Sequence, residues 1–216
     1  MKSEELEAKV KRLEARLQAI EDIEAIKKLQ HAYGYYLEHW QTEQLLGLWS
    51  HRPDVTFESN DTGQYKGWEQ IKRCFSFTNH FTAYNGEKVA PPEYLHILMP
   101  NSGIVDLGPD GSTAKARWYG FFLGAMERGE GGKLRALIGC GIWENEYVKE
   151  DEIWKLKKIF WNDIFCSPLD EGWVKTPYSA NPPNKDRPAP VDNPQFLHYP
   201  SGHITPYHYK NPVTGK

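Results

Sequence analysis

From Ile23 to Trp40 the apolar positions recur at helical spacing. Ile26, Leu29, Tyr33, Tyr36, Leu37 and Trp40 share one side of a 3.6-residue wheel, while Lys27, Lys28 and Gln30 fall outside it. This predicts a helix over 23–40 whose inner face carries two phenols. A buried tyrosine hydroxyl needs a partner, so the stripe reads either as ordinary aromatic core or as the polar lining of an apolar space. Upstream, Leu6, Val10, Leu13, Leu17 and Ile20 alternate spacings of four and three with Glu, Lys and Arg between them, as a short coiled coil requires. Roughly two heptads do not stand alone. Residues 1–22 are therefore expected to make an oligomer contact or to pack on their own domain, with a solvated, frayed helix as the alternative.

Beyond Trp40 the period shifts. Thr42 to Trp49 reads as a second helix, Asp54 to Glu58 as a short strand, and Gly67 to Phe75 as a third helix with Ile71 and Phe75 inward. Four β-rich runs follow: Pro92 to Leu107, Ser112 to Glu127, Lys133 to Lys149 and Ile153 to Pro168. They are separated by Gly108-Pro-Asp-Gly111, Arg128-Gly-Glu-Gly-Gly132 and Glu150-Asp-Glu152, each a plausible hairpin turn. Helices first and an antiparallel meander afterwards predict an α+β fold, with helices covering one face of a curved antiparallel sheet. Ten of the fifteen prolines lie between Ser167 and Lys216, which disfavours helices and central strands there. Trp173, Tyr178, Phe196, Tyr199, Tyr207 and Tyr209 recur along the same stretch, unlike a solvating linker. An extended arm over its own domain or a neighbouring subunit is expected, with a disordered tail as the alternative. Three parts result: a coiled-coil-like helix over 1–22, a domain over 23–168 and a Pro- and aromatic-rich arm over 169–216.

Composition narrows the function classes. The formal net charge is −3 without a basic stripe, which argues against nucleic acid as the main partner. No apolar run is long enough to span a bilayer and the N-terminus has no signal-peptide core, so a cytoplasmic protein without a membrane partner is expected. Cys74, Cys140 and Cys166 are odd in number and far apart, giving neither a disulfide framework nor a CxxC pair, and read as packing thiols. No GxSxG elbow and no phosphate-binding glycine loop is present. No histidine pair has a metal-ligand spacing either, so no metal and no cofactor are expected.

The order of DIEAIKKLQHAYGYYLEHW, GQYKGWEQIKRCF, DGSTAKARW and NEYVKEDEIWKLKKIFW resembles the SnoaL-like branch of the nuclear transport factor 2-like superfamily over roughly residues 20 to 166. That resemblance implies a cone-shaped α+β scaffold with a pocket between the helices and the concave sheet face. In scytalone dehydratase and bile-acid 7α-dehydratase a helix tyrosine, an acid five residues later and a strand histidine cooperate there without a metal. By position, Tyr33 matches the tyrosine, Glu38 the acid, usually Asp, and His96 the histidine; a second strand histidine of scytalone dehydratase has no clear equivalent. The chemistry favours the same three. An imidazole moves protons near neutral pH, a carboxylate within reach fixes its tautomer, and a phenol donates to a developing oxyanion. His31, His39, His51, His80, His198, His203 and His208 read as solvated or interface histidines.

Twenty-nine of the 216 residues are aromatic, which suits a flat aromatic ligand. Tyr36 and Trp40 on the helix, and Arg117, Tyr119, Trp161, Asn162 and Asp163 on strands, are the candidate substrate contacts. A one-residue slip in register would exchange Arg117 and Tyr119 for Trp118, or Trp161 and Asp163 for Asn162. The leading expectation is a cofactor-independent lyase that eliminates from a phenolic small molecule, with weak preference for formaldehyde release from a lignin-derived diaryl compound over loss of water. A dehydratase or isomerase of a hydroxylated polycyclic or steroid-like substrate is the alternative, and a ligand-binding or scaffold protein the alternative of another class. The N-terminal helix, the arm and the resemblance together favour a homo-oligomer, a trimer before a dimer.

Overall fold

The computed structural model describes residues 3–59, 62–77, 82–84, 86–127, 134–179, 189–190 and 197–216. His80, Phe196 and the expected turn at Arg128–Gly132 lie outside them. The chain opens with α1 (Ser3–Glu38) and α2 (Thr42–Gly47), then β1 (Thr56–Ser59), β2 (Gly63–Lys66) and α3 (Trp68–Cys74). A small hairpin, β3 (Thr82–Tyr84) and β4 (Glu87–Val89), precedes the long strands β5 (Leu95–Leu107), β6 (Thr113–Glu127), β7 (Leu134–Glu150) and β8 (Ile153–Pro168). The short helix α4 (Gly172–Lys175) follows.

The main sheet runs β2-β1-β8-β7-β6-β5. The meander β5 to β8 is antiparallel as the alternation predicts, but β1 lies parallel to β8, with Phe57 opposite Ile159 and Ser59 opposite Trp161. The curved sheet is therefore mixed rather than antiparallel. The one-turn helix α4 interrupts the proline-rich stretch where no helix is expected, before its next proline at Pro177.

Helix α1 lies along β5 and β8. Its buried residues are Asp22, Ile26, Gln30, Tyr33 and Gly34. At 100° per residue this face is turned roughly 45° from the expected stripe, away from Tyr36 and towards Gln30. Gly34 is the reason the helix can roll that way: a Cβ there would stand 2.8 Å from the Leu98 carbonyl oxygen, so any larger residue would push the helix off β5. Gln30, expected outside the inner face, is fully buried, and its Oε1 accepts from the Tyr147 hydroxyl at 2.7 Å and Asn145 Nδ2 at 2.9 Å. Trp118 Nε1 donates to the same hydroxyl at 3.1 Å. Such a network resists sliding, because a displaced helix would leave several buried polar groups unpaired. At the outer end Asp22 accepts from Trp154 Nε1 and from Lys149 Nζ, both at 2.8 Å, clamping α1 to the β7–β8 hairpin.

Candidate active site

A cavity of about 250 Å³ opens between α1 and the sheet. Tyr33 and Leu37 reach it from α1, Phe57 and Ser59 from β1, and Tyr94, His96 and Leu98 from β5 and its approach. Phe122, Trp143, Trp161, Asp163 and Cys166 complete it from β6 to β8, and Tyr178 enters from beyond α4. Strand alternation places most of them, since residues two apart share a face, and the register shift on β8 between Asp163 and Phe165 brings Cys166 to the same side. Small residues supply the space. A Cβ at Gly120 or Gly141 would collide with the Trp161 ring, so these glycines form the slot in which that indole lies against Trp143, ring centroids 4.8 Å apart.

His96 is held by aromatic edges: its ring meets Phe122 at 5.2 Å and Tyr94 at 6.2 Å, both near-perpendicular. Tyr33 is 2 % exposed and edge-on to Phe75 and Trp143. Among the described residues nothing hydrogen-bonds its hydroxyl, although the residue lines the cavity. Burial, and to a lesser degree the neighbouring Cys74, pushes this phenol far above its ordinary pKa, so it remains a neutral donor. Asp163 is 8 % exposed. Its carboxylate is close enough to Cys140 to add to the burial that pushes that thiol up. The register Asp163–Gly141–Gly120–Pro100 puts Asp163 three strands from β5, roughly 14 Å across the sheet, so His96 and Asp163 occupy different walls.

Tyr33, His96, Trp161 and Asp163 thus come together around one cavity, and the other candidates do not. Glu38 uses Oε1 to accept from the Leu98 backbone N–H at 2.9 Å, tying the end of α1 to the outer edge of β5 instead of orienting His96. Tyr36 lies at the margin of the rolled helix and lines a separate groove with Leu29, Leu48 and Trp154. Trp40 adopts φ 58°, and Gln41 N–H bonds back to the Tyr36 carbonyl at 3.0 Å in a helix-ending turn. That turn swings the indole off the inner stripe to stack on Phe77 and brace Tyr94 from behind.

Arg117, Tyr119 and Asn162 are corrected by register: Trp118 and the pair Trp161/Asp163 face inward, and these three face out. Arg117 pairs with Glu144 and donates to the Thr205 and Pro206 carbonyls, each at 3.2 Å. Its guanidinium covers the Tyr207 ring at 4.4 Å, and Asn162 Nδ2 donates to Thr205 Oγ1 at 3.1 Å. His208 Nδ1 lies 2.7 Å from Glu144 Oε2. Tyr119 is 49 % exposed. These polar strand residues anchor the C-terminal segment and do not reach the cavity.

Sequence reasoning missed Tyr94, Trp143, Cys166 and Tyr178. Cys166, read as a packing thiol, is 6 % exposed at the cavity wall. Its N–H bonds to the Pro177 carbonyl at 3.2 Å and its carbonyl accepts from Ser179 N–H at 2.7 Å, which brings Tyr178 to the cavity. There Tyr178 stacks on His198, centroids 5.3 Å apart. The recurring aromatics of the proline-rich stretch were the one signal for this contact. Among the described residues no group of three or more His, Cys, Asp or Glu is placed to hold a metal ion, and no helix is long and apolar enough to cross a membrane.

Solved structures share this architecture at low sequence identity. A putative scytalone dehydratase from Novosphingobium aromaticivorans superposes with TM-score 0.56 at 16 % identity, over 76 % of this chain and 95 % of that one. A type 2 hexachlorocyclohexane dehydrochlorinase gives TM-score 0.56 at 19 % identity, over 71 % and 93 %. The type 3 dehydrochlorinase of Novosphingobium barchaimii gives 0.55 at 17 % identity, over 71 % and 94 %. No curated protein matches the sequence significantly. The SnoaL-like domain family matches residues 18–159, from the helix that carries Tyr33 to the strand that leads into Trp161, and the chain belongs to that family.

Proposed function

We propose that this protein is a cofactor-independent lyase that eliminates from an aromatic, phenolic small molecule inside the cavity between α1 and the sheet. The observation that carries the reading is that His96, Asp163 and Tyr33 line one cavity, walled by Trp143, Trp161, Phe122 and Tyr94. An elimination removes a proton at one atom and a leaving group at another. Two titratable groups on different walls serve it better than a tight dyad would. His96 takes the proton, and the neutral Tyr33 phenol donates to the oxyanion that develops on the substrate. Asp163 does not replace Glu38 as a partner of His96, which lies on another wall: it is the cavity carboxylate, it steadies positive charge that develops there, and the proton that His96 took goes on to the leaving group. Two fold neighbours bear the names of eliminating enzymes, a dehydrochlorinase and a putative dehydratase, which agrees with this class of chemistry.

The finer preference is for a two-ring substrate, because the walls offer aromatic surfaces on several sides. Water loss would follow from proton removal with departure of a benzylic hydroxyl. Formaldehyde loss would follow once the phenol's proton and the benzylic hydroxyl have left as water, giving a quinone methide with a hydroxymethyl group on the adjacent carbon: the O–H proton goes to His96, the C–C bond breaks, and its electron pair restores the ring as a phenolate.

The test is turnover of phenolic diarylpropanes and hydroxylated aromatics by chelator-treated wild type and His96→Ala, following mass loss and formaldehyde. Turnover by wild type with loss in the variant supports the assignment. Equal turnover by both removes His96 from the mechanism, and binding without turnover by either favours a ligand-binding protein.

A further inference from the structure

Helix α1 carries two apolar stripes, and only one is used by the domain. Every residue from 3 to 18 is exposed, and the first buried anchor along the helix is Asp22, which engages Trp154 and Lys149. Leu6, Val10, Leu13, Leu17 and Ile20 stand 43–58 % exposed along this free segment, which spans about 27 Å at 1.5 Å per residue. At 100° per residue their stripe is centred roughly 150° from the face formed by Ile26, Gln30, Tyr33 and Leu37. It points away from the protein's own sheet. Most helical stability in proteins comes from packing an apolar face, and this segment packs on nothing in its own domain.

The charges beside the stripe say what covers it. In heptad terms Val10 and Leu17 hold a positions, and Leu6, Leu13 and Ile20 hold d positions. The g positions are then Lys9 and Arg16, and the e positions Glu7, Glu14 and Glu21. In a parallel, in-register pair each g residue faces the e residue five places later on the other helix. Lys9 meets Glu14 and Arg16 meets Glu21, and every such contact is attractive. An antiparallel pair would set g against g and e against e, and every contact would repel. The pattern is complementary to itself in one orientation alone.

We propose that Ser3–Ile20 of α1 is the seam of a parallel, in-register coiled coil with another copy of this chain, which joins the catalytic domains at their α1 ends. The pairing rule is the same for two or three strands. The interface also lies far from the cavity, so the inference stands or falls independently of the lyase assignment.

The experiment is sedimentation equilibrium on the full chain and on two charge variants, Lys9→Glu with Arg16→Glu, and Glu14→Lys with Glu21→Lys. The proposal predicts that wild type self-associates and that 1 M salt weakens it. Each variant alone should associate at least about tenfold more weakly, and an equimolar mixture should regain wild-type affinity in a two-stranded coil and part of it in a three-stranded one, where one of three interfaces still sets like charges together. Unchanged circular dichroism melting of the domain would show that both variants fold. Monomeric wild type would overturn the proposal, as would folded variants that associate as tightly as wild type. A Leu13→Glu, Leu17→Glu variant adds a second check: it keeps the domain folded and should be monomeric, and persistent association would place the interface elsewhere.

Discussion

The two faces of β6, β7 and β8 are built from alternate residues of the same sequence and do opposite work. Inward, Trp118, Trp143 and Trp161 pack with α1 or wall the cavity, and Asp163 is the carboxylate among them. Outward, Arg117, Glu144 and Asn162 form ion pairs and hydrogen bonds that bind the segment around Thr205 to His208. A single step along a strand therefore separates a residue that can touch a ligand from one that holds the fold's outer strap. Residue type alone does not distinguish them, because both faces carry aromatics and charges, and only register does.

Several substitutions would break or sharpen that contrast. His96→Ala should lower kcat by about 10²- to 10⁴-fold, the usual contribution of a positioned acid–base group, with little change in melting temperature. Gly120→Val sends a side chain into the Trp161 and Trp143 rings, and overpacking of this kind should cost about 1–3 kcal/mol, read by denaturant unfolding, together with loss of ligand affinity. Arg117→Ala should cost about 1 kcal/mol by removing the strap's anchor, and leave KM unchanged. A normal stability with raised KM would put Arg117 at the ligand instead.

The smallest effect concerns pH. Burial alone would raise the Asp22 carboxyl, but bonds from Lys149, Trp154 and Gln18 hold it below its ordinary value. A depressed folded-state pKa gives stability that is complete above the ordinary aspartate value of about 3.9 and is lost as pH falls through the folded value. Lys149 mirrors it: Asp22 raises its pKa, so its share is complete below the ordinary lysine value and lost as pH rises through the raised one. Asp22→Asn should therefore flatten the acid limb of the stability profile, and an unaltered limb in the variant would remove the clamp from the account.

Much of the fold was legible because its main elements are long. The strands β5 to β8 run for thirteen or more residues each with turn residues between them, long enough to be read as strands in spite of the register shifts near Asn101, Cys140 and Glu146. The parallel pairing of β1 with β8 was not legible, since four residues carry too little pattern to name a partner about a hundred positions away. Of the expected site residues, His96, Tyr33, Trp161 and Asp163, chosen by residue chemistry or by resemblance, line the cavity. Glu38 was misplaced because a carboxylate at a helix end can serve a strand N–H as well as an imidazole. Gln30 was misread because a polar residue counts against burial until its partners, Tyr147 and Asn145, are known to face it. Tyr178 could not be assigned because its place depends on the Cys166 backbone contacts, which leave no periodic trace.

The most direct test compares two neighbours on β8 in turnover of the phenolic panel. With Asp163 inward and Asn162 outward, Asp163→Asn should lower turnover by about 10²-fold or more at unchanged melting temperature. Asn162→Ala should leave turnover intact and lower the melting temperature through the lost Thr205 bond. The reverse pattern, or equal loss of activity in both, would contradict the assignment of the reaction to the inner face of the sheet.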